Sequence, residues 1–293
     1  MNKPAMENKL ITLQSLSHIK RQTSEIVLFL FLTVMALTMV LPFVWMLSSS
    51  LKFDPEIFSY PVKFLPASMA SVKYNYSTIW SYIDFLQCYI NTAKLAISIT
   101  LLQLLTCSVA AFSFARLKFP GRDALFVIYL ASMMVPWHAI MIPQFIIVKN
   151  LGLYNSHWAL ILTQAFSAFG VFLLRQNMLT IPKELDESAK IDGCSIPRLY
   201  WNIILPLVIP GLATLMIFTF KNAWNDYMAP MLYLQNRRLF TIQLGLSYFK
   251  TQYSMEYGLT MAATVCSVIP IVIIYVLGQK YIIEGVAHTG LKG

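Results

Sequence analysis

This sequence is short of charge, and of acids above all. Asp, Glu, Lys and Arg make up 12% of its 293 residues, and only thirteen are acidic. Soluble domains carry about 25% charged residues, so a fully solvated surface is excluded. Cysteine is sparse as well. Cys88, Cys107, Cys194 and Cys266 are scattered, with no CxxC pair and no histidine at ligand spacing, which argues against a disulfide framework and against a zinc site. The chain has no GxxxxGK[ST] phosphate loop, no HExxH, no nucleophile elbow and no cluster of carboxylates inside an apolar run. No catalytic, cofactor-binding or metal-ligating residues are therefore expected, and the chain cannot be its own ATPase. Any chemistry has to come from a partner.

What is present is apolar surface. Hydrophobic residues make up 57% of the chain, aromatics 14%, and the mean hydropathy is +0.62, well outside the range of a soluble domain of this length. A membrane helix needs roughly 20 mostly apolar residues, and six stretches qualify, over Glu25 to Leu47, Leu86 to Phe114, Asp123 to Val148, Ser156 to Gln176, Asn202 to Phe220 and Gly258 to Gln279. Lipid leaves only helices or a closed barrel to satisfy backbone polar groups, and these runs lack the period-two alternation of a barrel. The expected fold class is an all-α integral membrane protein of six transmembrane helices, with a polar segment at residues 1–24, a membrane domain at 25–280 and a tail at 281–293. The apolar run after Ser24 is too long for a signal-peptide core and lacks a small-residue cleavage site, so it reads as an uncleaved first helix.

Basic residues set the orientation. With the N-terminus inside, thirteen Lys and Arg fall in inner segments, among them Arg116, Lys118, Arg122, Arg175, Lys183, Lys190 and Arg198, and seven in outer ones. That bias places both termini in the cytoplasm. The net charge of +9 is then mostly topological, and because the charges are dispersed a nucleic-acid partner is not expected.

Against this background KELDESAKIDGCSIPRLYWNIILP, Lys183 to Pro206, stands out. Glu184, Asp186, Glu187 and Asp192 are four of the thirteen acids. The segment falls in the inner loop between the fourth and fifth spans. Pro182 suits the start of a helix, the three acids lie near the positive end of its macrodipole, and Gly193 ends it. Leu185, Ser188, Ala189 and Asp192 share one face at three-to-four spacing, narrow enough for close approach to another surface. Ser195 is a candidate N-cap and Pro197 opens a second helix that carries Tyr200 and Trp201 into the membrane. On physical grounds the segment is either a plug for a cytoplasmic partner or a solvated amphipathic loop.

Several uncharged polar residues lie within the spans: Gln103, Ser108, His138, Gln144, Thr163, Gln164, Ser167, Thr264 and Ser267. Such groups either bridge helices or line a wet cavity. Together with Phe145, Phe166 and Phe169 they suit a neutral polyhydroxylated solute, which offers hydroxyls to bond and ring faces to stack. Asp226, with Lys221, Asn222 and Asn225, sits near the outer end of the fifth span, as a gate or as an interfacial cap. Pro136 and Pro143 interrupt the third span, either to line a path or as a packing kink. The candidate path residues are Gln103, Gln144, Gln164, Asn225 and Asp226. The outer regions 48–85 and 231–257 are rich in aromatics, which serve lipid-surface anchoring or protein contact.

The Lys183 to Pro206 segment resembles the EAA loop of ABC-importer permeases, on Glu187, Ser188, Ala189, Asp192, Gly193 and Pro206, with Ser188 where the family has a first alanine. The resemblance extends to the second permease of maltose-type carbohydrate importers. It is carried by PFVWMLSSSLK from Pro42, AAFSFARLKFPGR from Ala110, MVPWHAIMIPQF from Met134, GLYNSHWAL from Gly152, WNDY from Trp224 and the QKYIIEGVAHTGLKG tail. It implies the ABC type I importer permease fold and a multi-pass place in a bacterial or archaeal cytoplasmic membrane. It implies a second permease subunit, two ATPase subunits that use ATP and Mg, and an extracytoplasmic solute-binding protein met by the outer loop at 231–257. Glu184, Leu185, Glu187, Ser188, Ala189, Asp192 and Gly193 would then couple to the ATPase, with the solute a carbohydrate moved by alternating access. The competing readings are a standalone six-helix secondary carrier or channel, for which no inverted repeat or coupling-ion site aligns, and an ABC permease for a non-sugar or anionic polymer. Lys94 and Lys221 keep the anionic cargo open.

Overall fold

The computed structural model describes residues 3–82, 84–252 and 256–290. Among these the chain is all helical, without strands, in the order α1 (Lys3–Ser50), α2 (Asp54–Ile57), α3 (Met69–Tyr82), α4 (Phe85–Arg116), α5 (Arg122–Ala131), α6 (Trp137–Asn150), α7 (His157–Thr163), α8 (Ala168–Leu179), α9 (Glu184–Ile191), α10 (Ile196–Arg198), α11 (Leu205–Leu207), α12 (Ile209–Asn225), α13 (Met228–Tyr233), α14 (Ile242–Gln252) and α15 (Tyr257–Gly290). The side chains of the polar N-terminal segment up to Arg21, and those of the tail beyond Tyr281, lie outside the described residues.

Three helices are long and apolar enough to cross a membrane unbroken: Ser24–Ser50, Phe85–Arg116 and Tyr257–Tyr281. They coincide with the first, second and sixth runs of the sequence. Three further helix pairs are apolar enough together but bent, so the count reaches six if each pair crosses as one. Arg122–Met134 and Trp137–Asn150 meet at 100°, where Pro136 is the N-cap of α6 with extended backbone. His157–Thr163 and Ala168–Leu179 meet at 43°, without a proline. There the Ser167 hydroxyl accepts from Gly170 N–H and starts a new helix. Ile196–Leu207 and Ile209–Asn225 meet at 78°, at Val208 between Pro206 and Pro210, since Pro210 lacks an N–H and its ring crowds the carbonyl four residues earlier. The single helices expected over Ser156–Gln176 and Asn202–Phe220 are therefore each two pieces.

The α4 helix is the mast of the bundle, packed on α8 and α12, while α15 packs on α1 and α12. Two cores sit along it. One gathers Phe85, Leu95, Leu160, Trp224, Tyr233 and Leu259. The other gathers Cys107, Phe112, Leu174, Met178, Ala189 and Tyr200 at the end that carries α9. α1 presents Val27 through Leu47 almost wholly outward, as a lipid-facing or subunit-facing helix does. At the end opposite α9, the Asp54 carboxylate accepts from the Tyr257 and Gly258 N–H groups at 2.9 Å each and so caps α15. Asn75 donates to the Ser50 and Lys52 carbonyls, fastening the segment after α1.

Candidate functional site

Two sets of residues stand out, one at the Arg116 end of α4 and one that starts from Gln103 near its middle. At the first, α9 carries Glu184, Asp186 and Glu187 in its opening turn. Its far end closes as the sequence requires. Gly193 adopts φ +74°, its N–H bonds the Lys190 carbonyl at 3.0 Å and the Cys194 N–H bonds the Ala189 carbonyl at 2.8 Å. This pair of bonds is a Schellman motif, which needs a left-handed residue after the cap. Ser195 precedes α10 in extended conformation but makes no side-chain cap, and Pro197 lies in the first turn as expected.

The predicted face of Leu185, Ser188, Ala189 and Asp192 does not stay together. Ala189 turns inward, 6% exposed, into the core at this end of the bundle. Glu184, Leu185, Glu187, Ser188, Asp192 and Gly193 are exposed. The rotation has a cause in Asp186, three residues before Ala189 and on the same side of the helix. Its carboxylate accepts from Arg116 Nη1 at 3.3 Å, with the two side chains 11% and 2% exposed. Arg116 is the last residue of α4. Its Nη2 also donates to the Met178 carbonyl at 2.6 Å and the Ile181 carbonyl at 2.9 Å, just at and past the end of α8, where a cation complements the helix dipole. Arg116 thus ties α4, α8 and α9 together. Its Nε and the Asp186 Oδ1 have no hydrogen-bond partner, so the ion pair is a single contact rather than a bidentate fork. The charge pattern of the sequence gives Arg116 a role in membrane anchoring alone. No sequence signal joins the two residues, which lie seventy positions apart.

After α10 the chain winds a π-helical turn over Leu199–Ile204, a form concentrated at functional sites. Tyr200 is buried there, its hydroxyl 2.7 Å from Ser108 of α4. α9 and the π-helical turn that follows α10 thus touch α4 at two contacts, Asp186 to Arg116 and Tyr200 to Ser108.

The second set lies toward the opposite end. Gln103 of α4 accepts from the Thr219 hydroxyl of α12 and donates to the Gln164 carbonyl at 2.9 Å. Gln164 donates to Asp226 Oδ2 at 2.8 Å, and Asp226 Oδ1 accepts from the Ala229 N–H at 3.2 Å. Three candidate path residues thus form one chain of bonds. Gln103 is a bridge between helices, whereas Gln164 and Asp226 border an open space. Asp226 lies one residue past the end of α12, and burial pushes its carboxyl up from the usual carboxylate range, opposed by the Ala229 and Gln164 hydrogen bonds. Gln144 stands apart from this chain, accepting from Trp137 Nε1 at 2.9 Å and the Tyr233 hydroxyl at 3.0 Å. Asn225 is exposed and pairs with the Lys221 carbonyl and Gln243, outside both groups.

A cavity of about 300 Å³ opens here, lined by Trp137, His138, Thr163, Gln164, Asp226, Met228 and Ala229. It forms where three breaks meet: the start of α6, the junction of α7 with α8, and the junction of α12 with α13. Irregular backbone at membrane depth is tolerated where it is buried in protein or lines a cavity, and discontinuous helices build solute sites in transporters. No cluster of three His, Cys, Asp or Glu able to hold a metal occurs among the described residues.

Residues 103–288 match the family described as binding-protein-dependent transport system inner membrane component. The chain is 35% identical over 203 residues, 69% of its length and 73% of the relative's, to an arabinooligosaccharides transport system permease protein of Halalkalibacterium halodurans. It is 34% identical over 268 residues, 90% and 96% of the two chains, to a putative ABC transporter permease protein of a Caldicellulosiruptor species. It is 29% identical over 267 residues, 91% and 96%, to the lactose transport system permease protein of Rhizobium radiobacter. Among solved structures, a chain of a bacterial ABC transporter that imports the acidic polysaccharide alginate aligns with a TM-score of 0.78 at 24% identity, over 89% of this chain and 96% of that one. That likeness is one of fold.

Proposed function

This chain belongs to the family of binding-protein-dependent transport system inner membrane components, and from that membership we propose that it carries a carbohydrate, in oligosaccharide form, across a bacterial or archaeal cytoplasmic membrane. It is a permease subunit of an ABC importer and has no ATPase role of its own. A second permease subunit completes the path, two ATPase subunits bind and hydrolyse ATP with Mg, and an extracytoplasmic binding protein delivers the sugar. In this reading the chain crosses the membrane six times, with both termini and α9 in the cytoplasm.

In this reading the exposed face of α9, namely Glu184, Leu185, Glu187, Ser188 and Asp192 with Gly193 at its end, seats in the ATPase. The single observation that carries it is how α9 is held. One side is fastened by Ala189 and the Asp186 to Arg116 pair, and the other is left open. A solvated loop needs no buried ion pair to fix its angle. When the ATPases close, α9 moves as a lever and the contacts at Arg116 and Ser108 pass the displacement to α4 and α8, shifting the bundle between inward-open and outward-open states.

The test is affinity purification of the tagged chain from native membranes in mild detergent. A second permease and an ATPase are expected to accompany it, and Asp192→Lys is expected to lose the ATPase while keeping the permease partner. Recovery of the chain alone, still moving solute without ATP, would replace this reading with a secondary carrier.

A further inference from the structure

We propose that the cavity between Trp137 and Asp226 is a subsite for one uncharged glycosyl unit, and that its lining rejects sugars bearing a carboxylate. The inference rests on the carbohydrate-importer reading above and adds a location and a charge preference to it. The cavity's volume, about 300 Å³, lies at the small end of the ~300–1,000 Å³ typical of ligand pockets. It holds a single ring rather than a chain.

Its walls are fixed before any solute arrives. The Trp137 indole is pinned through Nε1 to Gln144, whose amide oxygen also accepts from Tyr233, and His138 meets the indole edge-on at 5.5 Å between centroids. Asp226 is held by Gln164 on one oxygen and by Ala229 N–H on the other. Each oxygen keeps lone pairs beyond these bonds. Thr163 points its proton back to the Ala159 carbonyl, which leaves its oxygen free to accept. The inventory is thus one aromatic face, several acceptors led by a carboxylate, and a histidine. A pyranose or furanose ring supplies the complement, hydroxyl donors around its rim and an apolar face of C–H bonds. A hydroxyl bonded to Asp226 makes a charge-assisted hydrogen bond.

Among the described residues no Lys or Arg lines the cavity. A uronic acid would therefore set its carboxylate beside that of Asp226 with no cation between them, a juxtaposition of like charges that works against binding. The alginate transporter shares the fold, and fold carries no charge preference by itself.

The test must read the cavity itself, because a binding protein selects solutes before they arrive. In the assembled importer, Cys194 and Cys266 are replaced by serine, the buried Cys88 and Cys107 are kept, and Met228→Cys on the cavity rim is alkylated by a small maleimide. Arabinotriose, maltotriose and trigalacturonate are the competing probes, with ATP-driven uptake of each measured in parallel. Expected is protection of the reporter by at least one neutral trisaccharide and none by trigalacturonate. Asp226→Asn should raise the concentration of neutral sugar for half-protection by about tenfold, the loss of a charge-assisted bond. Trp137→Phe should bind more tightly than Trp137→Ala. Uptake of a neutral trisaccharide without protection, or equal protection by trigalacturonate, would overturn the subsite while leaving the importer intact. Uptake of no sugar at all would instead remove the carbohydrate reading on which it stands.

Discussion

Arg116 is buried at the last residue of α4 with three acceptors on two other elements: the Met178 and Ile181 carbonyls and the Asp186 carboxylate. Truncating it strands a nearly buried carboxylate and uncaps α8. Breaking one side of a buried pair costs on the order of 3–5 kcal/mol, and the 11% exposure of Asp186 sets the expectation at the low end of that range. Arg116→Ala should lower the thermal midpoint of the purified importer and reduce sugar moved per ATP hydrolysed. Asp186→Asn, which still accepts from Nη1, should do the same more weakly. Arg116→Lys separates charge from shape, because an ammonium cannot reach three acceptors spread as a guanidinium's are. It should keep membrane insertion and lose coupling. Uptake per ATP equal to the parent in Arg116→Ala would reduce the contact to a packing detail. None of this was legible in the sequence, because Arg116 sits in a stretch whose basic residues are sufficiently explained by topology. Only the fold brings Asp186, seventy residues on, against it.

At the scale of elements, the turn from α9 to α10 decides the angle at which the lever meets the bundle. Gly193 sits at φ +74°, where a Cβ costs about 1–2 kcal/mol, though a Cβ there would meet nothing within 4 Å. Gly193→Ala should therefore cost only that backbone strain. Gly193→Pro should cost more, since proline cannot adopt a positive φ and removes the N–H that bonds Lys190. Graded uptake, parent above Ala above Pro, at equal amounts of chain in the membrane is the expected result. Equal uptake in all three would mean that the turn does not set the lever. This element was readable in advance, because acids at one end, a glycine at the other and prolines flanking both are local signals. The broken spans were readable only in part. Pro136 announced an interruption but not its 100°, and the bend at Ser167 arises from a serine that caps a helix inside an apolar run, where the same residue reads equally well as a contact between helices. The candidate path divided for a similar reason. Gln103, Gln164 and Asp226 are joined in one network, while Asn225 faces outward, since a residue's side of a helix depends on where the helix begins and ends.

At the scale of the whole molecule, the ends of the bundle differ in chemistry. The α9 end gathers Arg116, Lys118, Arg122, Lys183, Lys190 and Arg198, with Lys118, Arg122 and Lys183 around one open cavity. The opposite end carries the aromatic segments α2 and α3, packed by contacts such as Phe53 on Tyr74 and Phe58 on Tyr257. Basic side chains stay on the cytoplasmic side because translocating them is unfavourable, whereas aromatic rings settle at either interface. The contrast predicts one direction of insertion, with α9 on the cytoplasmic side. With Cys194 and Cys266 replaced by serine, a reporter at Ser188→Cys on the exposed face of α9 should react with an impermeant maleimide only in inverted membranes. A reporter at Ser77→Cys on α3 should react only in right-side-out cells. The reverse pattern would put α9 outside, away from any ATPase, and the coupling role of Asp186, Arg116 and Gly193 would fall with it. Alignment of both reporters with the expected sides would leave the lever geometry, the basic inner end and the sugar-sized cavity of the opposite half on a single axis, along which a solute enters at Asp226 and force arrives at Asp186.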